Sequence, residues 1–276
     1  MESGAGALLD IRGLSVSFAG LRGSVQVLDQ IEFSVRPGEV VGIVGESGSG
    51  KSVTSLAIMG LLGAQGKVDS GSIRFGDAVL TQLSPAQMRE KRGRDIAMIF
   101  QEPGTSLNPI LRVGFQIAEV LTEHTGADQK SANRRAVELM AQVGIPAPEK
   151  RARDYPHQLS GGMKQRIMIA MALACRPKLL IADEPTTALD VTIQAQILKL
   201  IVDLRDELDM AVLLITHDMG VVAETADRVV VMYAGQIVEQ STAEQLFAEP
   251  THPYTRLLLR SIPSARVKQD ILPVIE

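Results

Sequence analysis

Residues 45–52, with the sequence Gly-Glu-Ser-Gly-Ser-Gly-Lys-Ser, are the segment whose residue types and spacing point most clearly to chemistry. They fit the pattern G-x-x-x-x-G-K-[ST], in which glycines let the backbone turn tightly and aim its N–H groups at phosphate oxygens. The pattern follows a continuous apolar run at 40–44, typical of a strand buried on both faces, and opens a predicted helix at 51–62 that 63–66 would end. The helix dipole adds to the attraction for an anion. This context predicts a nucleotide phosphate site, whereas the pattern alone is also compatible with an ordinary glycine turn.

Two side chains of this loop have specific predicted roles. Lys51 is expected to reach the β- and γ-phosphates of a bound nucleotide, and the Ser52 hydroxyl is expected to ligate Mg²⁺. The neighbouring positions complete the predicted nucleotide-binding set, which is Gly45, Glu46, Ser47, Gly48, Ser49, Gly50, Lys51, Ser52 and Val53.

Polar side chains also follow three other apolar runs of the chain. Asp183 and Glu184 end one run, Gln101 follows a second, and His217 follows a third. Open parallel sheets bind ligands at the carboxyl edge of their strands, which makes Asp183 and Glu184 candidates for a ligand site. Taken separately, each has a simpler explanation: solvated acids before a proline, a solvated loop glutamine, and a structural histidine at a strand end.

The octapeptide at 159–166, Leu-Ser-Gly-Gly-Met-Lys-Gln-Arg, places Ser160, Gly161 and Gly162 at the start of a predicted helix. The hydroxyl and the backbone N–H groups there suit phosphate binding through a helix N-terminus. A serine N-cap followed by glycines in the first turn uses the same groups. Both interpretations remain open at this point.

The elements that must position these residues alternate between strands and helices, which favours a largely parallel sheet covered by helices. Between Pro103 and Leu159 the strand pattern stops, and amphipathic helices are predicted at 113–122 and 133–143. That interval is predicted to be an inserted helical subdomain. The predicted strands are residues 14–18, 27–35, 40–44, 96–100, 179–183, 212–216 and 228–233.

Composition excludes several classes of protein. The formal net charge of −4 and the absence of a long Lys/Arg tract argue against nonspecific binding of duplex DNA, and no nucleic-acid partner is expected. The longest apolar runs fall well short of the ~20 residues that span a bilayer, so any membrane role is expected to be peripheral. Met1 to Asp10 carries no secretory signal pattern, which predicts a cytosolic chain. A single cysteine, Cys175, excludes an internal disulfide and an all-cysteine metal site.

From Leu8 to about Pro263, the order and spacing of these motifs resemble the ATP-binding cassette (ABC) transporter ATPase family. The resemblance implies an α/β fold: a P-loop NTPase (RecA-like) core with a mostly parallel sheet, an N-terminal antiparallel β subdomain and an inserted helical subdomain. It implies one ABC ATPase domain over residues 1–276. The expected layout is a core with its β subdomain at 1–102 and 160–250, a helical subdomain at 103–159, and the start of a family-specific extension at 251–276.

The resemblance also implies roles around the γ-phosphate. Asp183 would hold Mg²⁺, directly or through water, together with Ser52 and Gln101. Glu184 would act as general base on the attacking water, which Gln101 also touches. His217 would contact the γ-phosphate and sense whether ATP is intact. Glu184, His217 and Gln101 are therefore the predicted catalytic residues, with ATP and Mg²⁺ as the predicted cofactors.

The octapeptide at 159–166 resembles the signature of this family, which closes over the nucleotide of a partner chain, so the resemblance implies a dimer with ATP at its interface. The partner would be an identical chain or a second, related ATPase domain. Phe18 is the candidate aromatic that stacks on adenine, although a phenylalanine ending a strand is a core residue about as often. The residues expected to act across the interface are Ser160, Gly161, Gly162, Gln165 and Asp190.

Three further segments, at 101–109, 187–194 and 252–256, resemble the oligopeptide, dipeptide and nickel importer branch of the family. The branch implies an ATPase subunit on the cytoplasmic side of the inner membrane, two transmembrane permease subunits and, indirectly, an extracytoplasmic solute-binding protein. Peptide is favoured over nickel as the cargo. Many members continue into a cysteine-rich segment that binds an iron–sulfur cluster, whereas this sequence stops at Glu276. Either the protein stops there, or the sequence is part of a longer chain or one half of a tandem ATPase.

Two other classes of protein fit less well. A soluble ABC ATPase of DNA repair would carry long coiled coils between 52 and 159, where no sustained heptads occur, and one of translation would carry two cassettes. A regulatory module that holds ATP without turnover would not require Glu184 and His217.

Overall fold

The computed structural model describes residues 6–20, 23–101, 106–187 and 189–260. The chain divides into two compact units, and each is described by itself. The first unit contains residues 1–83 and 213–276, as far as they are described, and the second contains residues 84–212.

An antiparallel sheet begins the first unit. Strand β1 (Leu9–Gly20) pairs with both β2 (Gly23–Val35) and β4 (Gly66–Phe75), and the short β5 (Ala78–Val79) pairs antiparallel with the end of β4. A 3-10 turn at Leu80–Gln82 follows. The predicted antiparallel β subdomain is confirmed. The core side chains of this sheet include Leu9, Ile11, Leu28, Ile31, Phe33 and Ile73.

A second sheet of the first unit carries the phosphate loop, which is residues 45–52. Within the first unit its strands run in the order β10 (Gln236–Thr242), β9 (Arg228–Tyr233), β3 (Val40–Val44) and β8 (Ala211–Ile215), and the chain passes from the second unit into the first within β8. β3 runs parallel to β9, and β10 runs antiparallel to it. Every residue of β3 is buried, which confirms the prediction of a strand covered on both faces. The helices of this unit are α1 (Lys51–Ile58), α8 (Met219–Thr225), α9 (Ala243–Ala248) and α10 (Pro253–Arg260).

Helix α1 is shorter than the sequence predicts, because it ends at Ile58 and not at residue 62. Gly60 has a φ of +62°, the left-handed conformation that closes many helices. The Leu61 N–H donates to the Leu56 carbonyl at 2.8 Å, and the Gly60 N–H donates to the Ala57 carbonyl at 3.1 Å. These bonds form a Schellman-type cap, which satisfies the last carbonyls of the helix and turns the chain away one turn early.

The second unit contains a parallel strand pair. β6 (Ile96–Ile99) pairs with β7 (Leu179–Asp183), with Ile96 opposite Leu179 and Ile99 opposite Ala182. Around them the chain is helical: α2 (Pro85–Lys91), α3 (Val113–Thr125), α4 (Gln129–Gln142), α5 (Pro148–Arg151), a 3-10 turn (Pro156–Gln158), α6 (Gly161–Leu173) and α7 (Val191–Leu208).

The two helices predicted between Pro103 and Leu159 are present as α3 and α4, with different limits. α3 continues to Thr125, where Gly126 ends it in a left-handed conformation at φ +68°. α4 begins four residues earlier than predicted, because the Asp128 carboxylate accepts hydrogen bonds from the N–H groups of Lys130 and Ser131 and caps it.

Among the described residues, no helix combines the length and the apolar character needed to cross a membrane.

Candidate functional site

The phosphate loop of the first unit starts where β3 ends. Gly45, Gly48 and Gly50 have φ values of +151°, +84° and +103°, which L-residues with a side chain rarely adopt. A Cβ on Gly45 would collide with the carbonyl oxygen of Met232, and one on Gly50 would lie 2.6 Å from Leu28 Cδ2. Backbone conformation and close packing therefore both require glycine at the first and sixth positions of the pattern.

Lys51 lies over this loop with its side chain buried, at 5% exposure. Its Nζ donates hydrogen bonds of 2.8 Å to the carbonyl oxygens of both Gly45 and Glu46. A buried ammonium is tolerated only when such partners replace water. Ser52 and Val53 follow in the first turn of α1, where Ser52 is exposed and Val53 is partly buried.

One contact to the loop was not predicted from the sequence. The Tyr254 hydroxyl accepts a 3.1 Å hydrogen bond from the backbone N–H of Glu46. Tyr254 lies in the 252–256 segment, which the sequence marked only as typical of a branch of the family. A contact between residues 208 positions apart leaves no local pattern from which it is predictable.

His217 is exposed and follows β8 in the first unit. The N–H of Thr216, the preceding residue, donates to the carbonyl of Ile43 in β3 at 3.2 Å. Asp218, the next residue, accepts hydrogen bonds from Gly220 N–H and Val221 N–H and caps α8. His217 therefore leaves the sheet beside the strand that leads into the phosphate loop.

In the second unit, the predicted carboxylates lie at the end of β7. Asp183 is buried, at 5% exposure, and Glu184 is partly exposed. Glu184 Oε2 accepts hydrogen bonds from Gln101 Nε2 at 2.9 Å and from Thr187 Oγ1 at 2.8 Å. The fold thus brings together Gln101 and Glu184, which are 83 residues apart in the chain. Thr187 was predicted only as part of the following loop.

The backbone of Glu184 is in the left-handed region, with a φ of +45°. For a residue other than glycine, a rare conformation of this kind costs about 1–3 kcal/mol and is found preferentially at functional sites. The fold holds this strained residue directly after a fully buried strand.

The signature octapeptide opens α6, also in the second unit. Ser160 is its N-cap and accepts a hydrogen bond from Met163 N–H at 3.3 Å. Ser160 and Gly161 are exposed, and Gly162 is partly exposed. Gln165 is different, because it is only 1% exposed and its Nε2 has no hydrogen-bond partner among the described residues.

Asp190 caps the next helix, α7, by accepting a 3.0 Å hydrogen bond from Ile193 N–H. The loop of Asp190 packs close to the signature. A Cβ on Gly162 would lie 3.0 Å from Ile193 Cγ2, and one on Gly161 would lie 3.5 Å from Leu189 Cδ2. The two segments predicted to act on a partner chain are therefore neighbours in the fold.

Phe18 is partly buried in β1, in the first unit. It lies opposite Val25 of β2 and Gly66 of β4, and a Cβ on Gly66 would lie 2.9 Å from the Phe18 ring. The ring thus packs on a glycine of the antiparallel sheet, and adenine stacking stays a prediction.

Parts of three predicted segments lie outside the described residues. They are 102–105 of the 101–109 segment, 188 of the 187–194 segment, and the end of the predicted extension from 261 onward.

A buried strand that delivers a glycine loop and a lysine onto a helix defines the nucleotide-binding arrangement of a P-loop ATPase. Comparisons with known proteins narrow this class. Residues 28–187 match the family described as "ABC transporter", and residues 238–276 match the family described as "Oligopeptide/dipeptide transporter, C-terminal region".

Curated relatives match almost the whole chain. A dipeptide transport ATP-binding protein, DppD of Haemophilus influenzae, is 58% identical over 257 residues, covering 93% of this chain and 78% of the relative. An oligopeptide transport ATP-binding protein, AppD of Bacillus subtilis, is 54% identical over 270 residues, covering 98% of this chain and 82% of the relative.

Solved structures agree with these matches. A dimeric post-hydrolysis state of the ATP-binding cassette MJ0796, bound to ADP and Pi, superposes with a TM-score of 0.75 at 28% identity, covering 85% of this chain and 98% of that one. The cassette cbiO1 of Clostridium perfringens gives a TM-score of 0.74 at 29% identity, covering 88% and 91%. The chain therefore belongs to the ABC transporter family, as an ATPase of the branch that contains the dipeptide and oligopeptide transport ATP-binding proteins.

Proposed function

We propose that this chain binds and hydrolyses ATP to energise the uptake of peptides through separate permease subunits. The observation that carries the proposal is the phosphate loop, in which three glycines with positive φ aim the backbone and Lys51 Nζ lies against the loop. Branch membership supports the coupling to transport, and the names of the relatives support dipeptides or oligopeptides as cargo.

The proposed roles of the site residues follow those of the ABC transporter family. Lys51 binds the β- and γ-phosphates, while Ser52, Asp183 and Gln101 offer oxygen ligands for Mg²⁺. A hydroxyl, a carboxylate and an amide carbonyl are the hard oxygen donors that Mg²⁺ prefers, so the residues fit the ion. Mg²⁺ bound with ATP supplies charge neutralisation at the phosphates. Phe18 stacks on the adenine.

Glu184 is the proposed general base, because it follows a buried strand at the ligand-binding edge and is oriented by two hydrogen bonds. Gln101 positions the attacking water through its contact with Glu184. His217, exposed beside β3, contacts the γ-phosphate.

The signature and the Asp190 loop are proposed to act on the nucleotide of a second ATPase domain. Their exposure and mutual packing support this role, as do the solved dimeric cassettes that resemble the chain. Ser160, Gly161 and Gly162 contact the phosphate directly. Gln165, buried behind them, supports the helix that presents them.

The wider assembly is also proposed. Residues 103–159 form the helical subdomain inserted into a core at 1–102 and 160–250, and 251–276 begin the family-specific extension. Two transmembrane permeases bind the ATPase pair at the cytoplasmic face of the inner membrane, and an extracytoplasmic binding protein delivers the solute. Nickel is the alternative cargo.

The hydrolysis step is tested with Glu184→Gln in the permease-bound complex. ATP binding should persist while phosphate release falls by roughly 10²–10⁴-fold, the usual scale for a general base. Glu123→Gln, an exposed glutamate of α3, is the matched control and should behave as wild type. Unchanged phosphate release from Glu184→Gln contradicts the assignment.

The dimer and the cargo need separate measurements. Light scattering on Glu184→Gln should detect ATP- and Mg²⁺-dependent dimers, of this chain alone or with a related ATPase.

Uptake of a labelled dipeptide into vesicles that contain the complete transporter should depend on ATP and stop in Glu184→Gln. Uptake of Ni²⁺ without uptake of peptide would overturn the cargo assignment.

A further inference from the structure

The hydrogen bond between Tyr254 and Glu46 fixes one peptide group of the phosphate loop. The Glu46 N–H and the Gly45 C=O belong to the same peptide unit. The N–H donates to Tyr254 Oη at 3.1 Å, and the C=O accepts from Lys51 Nζ at 2.8 Å. A trans peptide is planar, so the two groups point in opposite directions and cannot turn independently. The tyrosine hydroxyl therefore fixes the direction in which the carbonyl holds the lysine.

Packing holds the Tyr254 side chain in place. Tyr254 is 6% exposed, and its ring lies against the Tyr233 ring, with centroids 4.6 Å apart and planes inclined at 47°. It shares a buried cluster with Val44, the last residue before the phosphate loop. Burial raises the pKa of the hydroxyl, so it remains protonated. The ring thus supports the end of β3 while its hydroxyl holds the next peptide.

The segment that carries Tyr254 is itself anchored by a charge. The Glu239 carboxylate in β10 accepts hydrogen bonds from Thr251 N–H and Thr251 Oγ1, both at 2.7 Å, and from His252 N–H at 3.0 Å. Partial burial opposes ionisation of Glu239, but the hydrogen bonds from this segment outweigh it and lower its pKa to about 2. An acceptor that is ionised at neutral pH therefore fixes the residues that lead into α10.

We propose that Tyr254 is a positioning residue for the phosphate loop, through which the segment 251–260 sets the affinity of the ATPase for nucleotide. This segment lies inside the residues matched by the C-terminal region family of peptide transporters. The inference rests on the proposed function, since it assumes that the phosphate loop binds ATP. It adds a connection from the family-specific end of the chain to the ATP site.

The test compares Tyr254→Phe with Tyr233→Phe in the full chain. Both variants remove one hydroxyl from the same ring pair, but only Tyr254→Phe removes the hydrogen bond to Glu46. Tyr254→Phe should raise the Kd for ATP·Mg²⁺ by about 2- to 10-fold, the effect of one neutral hydrogen bond. It should also speed hydrogen exchange at the Glu46 amide. Tyr233→Phe should leave both unchanged.

A third variant separates positioning from general destabilisation. Glu239→Gln weakens the anchor of the segment, and it should raise the Kd for ATP in the wild-type background but not further in Tyr254→Phe, because both changes act through one hydrogen bond. An unchanged Kd in Tyr254→Phe, equal effects of the two tyrosine variants, or additive effects of Glu239→Gln would each overturn the proposal. Absence of ATP binding by the wild-type chain would refute the proposed function instead.

Discussion

Replacing Gly45 with alanine tests whether the shape of the phosphate loop is set by packing as well as by backbone conformation. Gly45→Ala places a methyl group against the Met232 carbonyl oxygen at a φ of +151°. Gly48→Ala is the matched control, because its φ is +84° but no atom lies within 4 Å of the added Cβ. The two variants make the same chemical change in the same loop, and they differ in the collision.

The expected magnitudes follow from these two environments. The unfavourable φ costs about 1–2 kcal/mol at Gly48 and about 1–3 kcal/mol at Gly45, and reduced unfolded-state entropy offsets about 0.4–1 kcal/mol of either. Moving backbone to relieve the collision adds about 1–3 kcal/mol at Gly45. Gly48→Ala should therefore lose about 1 kcal/mol of stability, and Gly45→Ala about 3 kcal/mol or more.

The assay is thermal unfolding without nucleotide, so that altered phosphate binding does not contribute. At about 2–4 °C per kcal/mol for a protein of this size, Gly48→Ala should lower Tm by about 2–4 °C and Gly45→Ala by about 6–12 °C. Equal melting temperatures for the two variants would refute the packing argument. They would indicate that the loop moves away from Met232 at little cost.

Three further predictions concern other parts of the molecule. Thr187→Val removes a hydrogen bond to the Glu184 carboxylate and should lower ATP turnover about 2- to 10-fold, with ATP affinity retained. Turnover equal to that of the wild type would show that Thr187 does not act at the site. Gly161→Ala should raise Tm slightly, because alanine has the higher helix propensity. Gly162→Ala should not raise Tm, because its added methyl group would lie 3.0 Å from a neighbouring side chain. Calorimetry measures both Tm values, and identical changes in Tm would contradict the difference in packing. The pKa of Glu239 falls from 4.5 to about 2 in the folded protein, so its contribution to stability is complete above pH 4.5 and is lost as the pH falls towards 2. Denaturation of Glu239→Gln and wild type should differ most near neutral pH and converge near pH 2, and a constant difference would refute the linkage.

The strands that carry the site were predictable because they are buried on both faces. β3, β7 and β9 coincide with the predicted runs at 40–44, 179–183 and 228–233, whose central residues are all buried. Helix ends that depend on the backbone conformation of one residue were predicted less well. Helix α1 stops early because Gly60 adopts a left-handed φ, and the helical pattern of the following residues does not reveal that choice.

The site itself was predictable only in part. Motif order placed Gln101 and Glu184 after strands, but their 2.9 Å contact depends on how β6 and β7 pair. The Tyr254 hydroxyl accepts a hydrogen bond from a backbone N–H. Almost every residue type has such an N–H, so no sequence pattern identifies the partner. Local patterns therefore predicted the chemistry, while long-range packing determined which groups orient one another.

The left-handed backbone of Glu184 lowers the stability of the fold at a residue to which we assign a role in catalysis. Glycine adopts a φ of +45° without strain and asparagine tolerates it, so a redesign guided by folding energy alone would replace this glutamate with one of them. The redesigned protein should be more resistant to heat and, without the carboxylate, unable to activate water. Libraries aimed at robust variants that keep the proposed general base should therefore leave position 184 untouched.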